Sequence, residues 1–105
     1  MKIPIYKSKS HINGMGIFTP INLKRGDIIG VSHVKHEGYW YMTTHGNYNH
    51  SENPNCIVEN RDDINLIIAN VDIMIGEELT GDYRNQPNLE QPNEGWVKWS
   101  FLNGY

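Results

Sequence analysis

Apolar positions along the chain come in short runs, each closed by Gly, Pro, Asn or Asp. The runs are "IPIY" (3–6), "GIF" (16–18), "DIIGVSHV" (27–34), "YWYM" (39–42), "NLIIANVDI" (65–73) and "WVKWSFL" (96–102). Richness in Ile, Val and aromatics between turn residues is the pattern of short β-strands. No window of eleven or more residues repeats its apolar positions with the 3.6-residue helical period. "LKRGD" (23–27) and "MIGEE" (74–78) read as turns leading into strands, and 84–95, with Pro87 and Pro92, reads as a loop. The pattern predicts a mainly β protein without internal repeat, linker or low-complexity block.

Composition narrows the class. At 105 residues the chain is expected to form a single domain over 1–105, burying roughly two-thirds of its unfolded surface. A net charge of -3 and a pI near 5.9 offer no basic stripe for a phosphate backbone, so no nucleic-acid partner is expected. The same balance suits a basic peptide. No apolar run approaches the roughly 18 residues of a membrane span, and "MKIPIYKSKSHING" lacks a secretory apolar stretch. No membrane association is expected, and a cytoplasmic location is. The lone cysteine, Cys56, excludes an intrachain disulfide and a four-thiolate zinc site.

Two polar segments stand out: "YNHSENPNC" (48–56) and "GEELTGDY" (76–83). Each alone reads as a surface loop or turn. They come after "INGMGIFT" (12–19) and "GDIIG" (26–30), and in this order the pieces resemble the SET domain of protein lysine methyltransferases. The resemblance covers residues 11–83. It is nearest to small stand-alone SET proteins of viruses, phages and bacteria, because cysteine-rich flanking modules are absent. It implies a SET-domain (β-clip) fold of short, mostly antiparallel sheets, with a C-terminal pseudoknot that lays the two polar segments side by side. An aromatic tail (96–105) would come after it. It further implies S-adenosyl-L-methionine as cofactor, a protein substrate with an acceptor lysine, and a homodimer. For a viral or phage member the location would be the host-cell interior, the nucleus included.

By the same resemblance, Gly14, Met15 and Gly16 would let backbone groups approach the cofactor, and Asn49 and His50 would contact its adenosine. Among the tail residues Trp96, Trp99 and Phe101, Trp99 is taken as the cofactor contact. Tyr83 is the catalytic candidate, a phenol placed near the methyl and the amine. Glu77, Glu78 and Asp82 are read as scaffold, Leu79 as core, and Ser51, Asn53 and Asn55 as braces of their loop. The chain departs from the family at Gly81, where an aromatic is usual. That leaves the substrate channel to Tyr48, Tyr39 and Tyr41 together with Gly81. No metal is expected. Rival readings are a non-catalytic β-clip binding module, a SET fold without transfer activity, and a metal site among His33, His36, His45, His50 and Cys56.

Overall fold

The computed structural model describes residues 3–85. The strands are β1 (Tyr6–Lys9), β2 (Met15–Phe18), β3 (Ile28–His36), β4 (Tyr39–Met42), β5 (Asn49–His50), β6 (Cys56–Arg61), β7 (Ile64–Ala69) and β8 (Glu78–Gly81). One-turn 3-10 helices occupy Thr44–Gly46 and Tyr83–Asn85. Two four-stranded sheets run in the orders β1-β2-β8-β5 and β4-β3-β7-β6. Their pairings are antiparallel except β5 with β8, which is parallel. Ile17 and Leu79 from one sheet meet Ile29, Cys56, Ile67 and Ala69 from the other in a shared core with Leu23, Tyr48 and Ile73. The protein is mainly β with the SET-type arrangement expected. Among the described residues, no helix is long and apolar enough to cross a membrane.

Several boundaries differ from the sequence pattern. "IPIY" does not form a strand at its start. Pro4 has no N–H for a ladder, and Ile3 and Ile5 instead pack against the core. Pairing begins at Tyr6, opposite Phe18. The run 65–73 splits: β7 ends at Ala69, and Ile73 re-enters only through an isolated bridge to Leu23. The pattern also passes over β6. Its burial alternates along "CIVENR", the period-2 signature of a half-covered strand, but only Cys56, Ile57 and Val58 are apolar.

The expectation of no internal repeat is overturned. Residues 19–27 and 69–77 share one hydrogen-bonding scheme at an offset of 50. Leu23 N–H donates to the Ile73 carbonyl at 2.7 Å, and Ile73 N–H returns a bond to the Leu23 carbonyl at 2.9 Å. Gly26 N–H donates to the Ala69 carbonyl and Gly76 N–H to the Thr19 carbonyl, both at 2.8 Å. Arg25 N–H meets Asp72 Oδ1 at 2.9 Å, and Ile75 N–H meets Asn22 Oδ1 at 2.7 Å. Lys24 N–H is capped by Asp27, and Met74 N–H by Glu77. The two clips therefore clasp each other about an approximate two-fold axis. Gly26 and Gly76 sit at φ 93° and 86°, a left-handed turn that side chains with a Cβ rarely adopt. The repeat is nearly invisible in sequence because the scheme needs only a side-chain oxygen, a branched apolar residue, a glycine and an acid. "NLKRGD" and "DIMIGE" supply these with different residues.

Candidate functional site

β8 lies between β2 on one side and β5 on the other. The two polar segments of the sequence thus meet, Asn49 opposite Thr80 and His50 opposite Gly81. Ser51 N–H continues the pairing to the Gly81 carbonyl at 2.9 Å. Beyond it the Asn55 side chain does the work of a strand. Its amide donates to the Glu78 carbonyl at 2.7 Å, and its oxygen accepts Thr80 N–H at 2.8 Å. An amide side chain can satisfy a backbone C=O and N–H together, which is why an Asn ends "NPN" here. Residues 49–55 thereby hold β8 against the early strand β2, the crossing expected of the pseudoknot. Cys56 donates to Asn55 Oδ1 at 3.3 Å. Burial pushes its thiol up to about 12, so it is a small core residue and no nucleophile.

One cluster forms under the Gly14–Gly16 loop. Asn49 Nδ2 lies 3.1 Å from the Asn13 carbonyl, 3.1 Å from the Met15 carbonyl and 2.9 Å from Glu78 Oε2. The Ser10 hydroxyl donates to the same carboxylate, at 2.7 and 2.9 Å from its two oxygens. Gly16 is buried against this group, and a Cβ there would run into the Glu78 carboxylate. Asn13, Gly14 and Met15 remain exposed. The loop is thus pinned from beneath and open above.

A second cluster gathers around Tyr83. Its hydroxyl donates to the Tyr48 carbonyl at 2.7 Å. Its ring lies 5.9 Å from that of Tyr48 and 5.2 Å from that of His50. His50 Nδ1 accepts Tyr83 N–H at 3.1 Å, so in the neutral ring the proton is on Nε2. Burial, with the Glu78 charge adding to it, raises the Tyr83 phenol above its ordinary range. Tyr48 is 2% exposed, and burial, with the Tyr83 and Cys56 charges adding, raises its phenol as well. At the rim, Arg84 donates to Asp82 through Nε at 2.9 Å and through a terminal nitrogen at 2.8 Å. These bonds hold the Asp82 carboxyl down at about 2. Arg84 also approaches Glu52 at 3.7 Å.

Of the residues singled out from sequence, Gly14, Met15, Gly16 and Asn49 are brought together in the first cluster, and His50, Tyr48, Gly81 and Tyr83 in the second. Tyr39 and Tyr41 stand on β4, the outer strand of the other sheet. Tyr39 is 69% exposed, and the Tyr41 ring faces His36 at 6.3 Å. Trp99 lies outside the described residues, as does the rest of the tail. Among the described residues no three His, Cys, Asp or Glu side chains converge as a metal site. His33 is buried in the core, His45 donates to the Ile3 carbonyl at 2.7 Å, and His36 is exposed beside Glu37. Sequence reasoning misses Ser10 and sets Glu78 aside as scaffold. Locally Ser10 is a turn residue, its hydroxyl accepting Ile12 N–H at 2.9 Å, and nothing local names its Glu78 partner, 68 positions away.

Comparison with known proteins points the same way. Residues 34–84 match the SET domain family model. A provisionally assigned histone methyltransferase of Plasmodium falciparum superposes with a TM-score of 0.68 at 22% identity, covering 79% of this chain and 95% of its own. Polycomb Repressive Complex 2 of Chaetomium thermophilum, autoinhibited and bound to S-adenosylmethionine, gives 0.67 at 19%, covering 84% of this chain and 16% of its own. A humanised mutant of that complex bound to an inhibitor gives 0.67 at 21%, covering 88% and 16%. The chain thus spans nearly all of the Plasmodium chain but about a sixth of the Chaetomium one. No curated protein matches the chain by sequence.

Proposed function

Proceeding from a SET-domain fold, we propose that this chain is an S-adenosyl-L-methionine-dependent protein methyltransferase acting on a lysine side chain. The observation that carries the reading is the pairing of β5 with β8, which brings the Asn49 cluster and the Tyr83 cluster together on adjoining strands. The resemblance to histone methyltransferases supports a protein acceptor.

The residues present fit the cofactor's charge. Three acceptors, the Asn13 and Met15 carbonyls and Glu78 Oε2, crowd one amide nitrogen that has two protons to give. That surplus of acceptors suits a cationic ligand. Gly14, Met15, Gly16, Asn49 and His50 would hold it, and its chemistry is a methyl already activated on a sulfonium. The protein's task is then alignment and exclusion of water.

Tyr83 gives its proton to the Tyr48 carbonyl, and a phenol oxygen that donates in this way is also able to accept an amine N–H. Its raised phenol argues against a general base, because the phenolate is disfavoured at neutral pH. The acceptor amine must therefore lose its proton to water first. With a lysine pKa of about 10.4, roughly one amine in 10³ is neutral near pH 7, and a dry pocket beside a cation raises that fraction. The neutral nitrogen, oriented by the Tyr83 hydroxyl oxygen, would be the nucleophile toward the methyl that the bound cofactor would supply. Tyr83→Phe is expected to bind cofactor as the parent does and to lose about 10²–10³ in rate, the usual cost of one preorganised hydrogen-bonding group. Single-turnover transfer from methyl-labelled cofactor to cell-extract protein tests this, and equal rates for the two proteins would remove Tyr83 from the chemistry.

A further inference from the structure

Gly81 and Tyr48 occupy each other's space. A Cβ at position 81 would fall 2.5 Å from Tyr48 Cε1 and 2.9 Å from Cδ1, closer than any real side chain tolerates. The ring cannot simply retreat. It is 2% exposed, shares the core with Ile17, Cys56 and Leu79, and meets the His33 ring edge-on at 6.3 Å and 88°. The backbone is constrained too, because β5 begins at the next residue and pairs with β8 through Asn49 and His50. The carbonyl that accepts the Tyr83 hydroxyl at 2.7 Å belongs to this same Tyr48.

We propose that the Tyr48 ring, seated on the bare backbone of Gly81, is the device that aims the Tyr83 hydroxyl, which makes Tyr48 a positioning residue for transfer. The proposal rests on Tyr83 being the group beside the reacting atoms. With the ring locked between Gly81 and His33, the Tyr48 carbonyl has one direction, and so has the hydroxyl that donates to it. A side chain at 81 must displace either the ring or β8, and both movements disturb that bond.

The test compares the parent, Gly81→Ala and the double variant Gly81→Ala with Tyr48→Leu, in which the smaller side chain makes room for the new methyl. In Gly81→Ala, kcat is expected to fall about a hundredfold, the effect of a misplacement near 1 Å, with the cofactor KM changed by no more than about twofold. The Tyr83 ring-carbon resonance in tyrosine-labelled protein, assigned through Tyr83→Phe, should titrate at lower pH than in the parent. A phenol that no longer donates to a carbonyl ionises more readily. The double variant relieves the clash but lacks the ring, so its kcat and its Tyr83 titration should both stay away from the parental values, and full recovery of either overturns the proposal. An unchanged kcat in folded Gly81→Ala, or an unmoved Tyr83 titration, overturns the proposal. If Gly81→Ala does not fold, Tyr48→Leu alone serves: loss of kcat with a shifted Tyr83 titration supports the interlock, and parental values refute it. If the parent transfers no methyl group, the functional reading fails, while the titration still decides the interlock.

Discussion

The two clips share a backbone scheme and differ in the strand that each one leads into. After the first, β3 runs for nine residues, Ile28–His36, and is flanked by β4 and β7. After the second, β8 stops after four, Glu78–Gly81, and a single 3-10 turn carries the chain out at Tyr83. The offset of 50 places His33 and Tyr83 at equivalent positions, and both face the Tyr48 ring, at 6.3 and 5.9 Å. His33 is 1% exposed; Tyr83 is half-buried and closes the candidate site. One copy of the motif thus builds the wall, and the other, cut short, offers a polar side chain at its open end. Position 28 against position 78 shows the same division. Ile28 is apolar, whereas Glu78 anchors the loop of Asn49 and Ser10.

The strongest way to break the comparison is at the bridge. Leu23→Ala and Ile73→Ala each remove a fully buried side chain and are expected to cost about 2–5 kcal/mol. Urea unfolding should give similar losses for the two. A large loss at one and almost none at the other would show that the clips are not mechanically equivalent.

His33 tests the buried side of the pair. Desolvation lowers its pKa to about 4, while in the unfolded chain it titrates near 6.5. Between these values the unfolded state binds more protons, so stability falls as pH drops from 6.5 towards 4, by on the order of 3 kcal/mol in full. Chemical denaturation at pH 7.5 and pH 5 should show this loss, and His33→Gln should reduce it. A parent slope that His33→Gln leaves unchanged would place the acid sensitivity elsewhere.

The smallest effects are at the clip tips. Asn22→Ala and Asp72→Ala each remove one acceptor of a backbone N–H, at an exposed site where about 0.5–1.5 kcal/mol is expected. Equal melting shifts for the pair would sharpen the two-fold equivalence.

Much of this is legible in the sequence, and the limits have physical causes. The strand "YWYM" can be read at its observed bounds because Gly38 and Thr43 flank a purely apolar run. The meeting of 48–56 with 76–83 comes through resemblance alone, since nothing local to either segment names its partner. Asn55 can be read as a brace because an Asn after Pro suggests side-chain bonding to backbone. Ser10 can be read only as a turn residue, because its hydroxyl accepts Ile12 N–H locally while its Glu78 partner lies across the fold. The duplicated clip escapes because its copies share backbone bonds and side-chain caps that different residues supply, Asn22 and Asp27 in one, Asp72 and Glu77 in the other. The Tyr48–Gly81 contact lies halfway: the missing aromatic at 81 is plain, and Tyr48 is one of three tyrosines that could fill its place. Only the structure shows its ring against Gly81.

On the proposed function, the Gly14–Gly16 loop, pinned from beneath by Asn49 and Glu78, holds a cationic methyl donor. Titration of S-adenosyl-L-methionine by calorimetry into the parent, Asn49→Ala and Asn22→Ala tests it most directly. Saturable binding to the parent is expected, weakened by about 1–3 kcal/mol in Asn49→Ala through the loss of a half-buried amide that binds the Glu78 carboxylate, with parental affinity in Asn22→Ala, whose change lies at the clip tip. A parent protein that gives neither heat nor a thermal shift with this ligand would contradict the account and leave a non-catalytic β-clip binding module in its place.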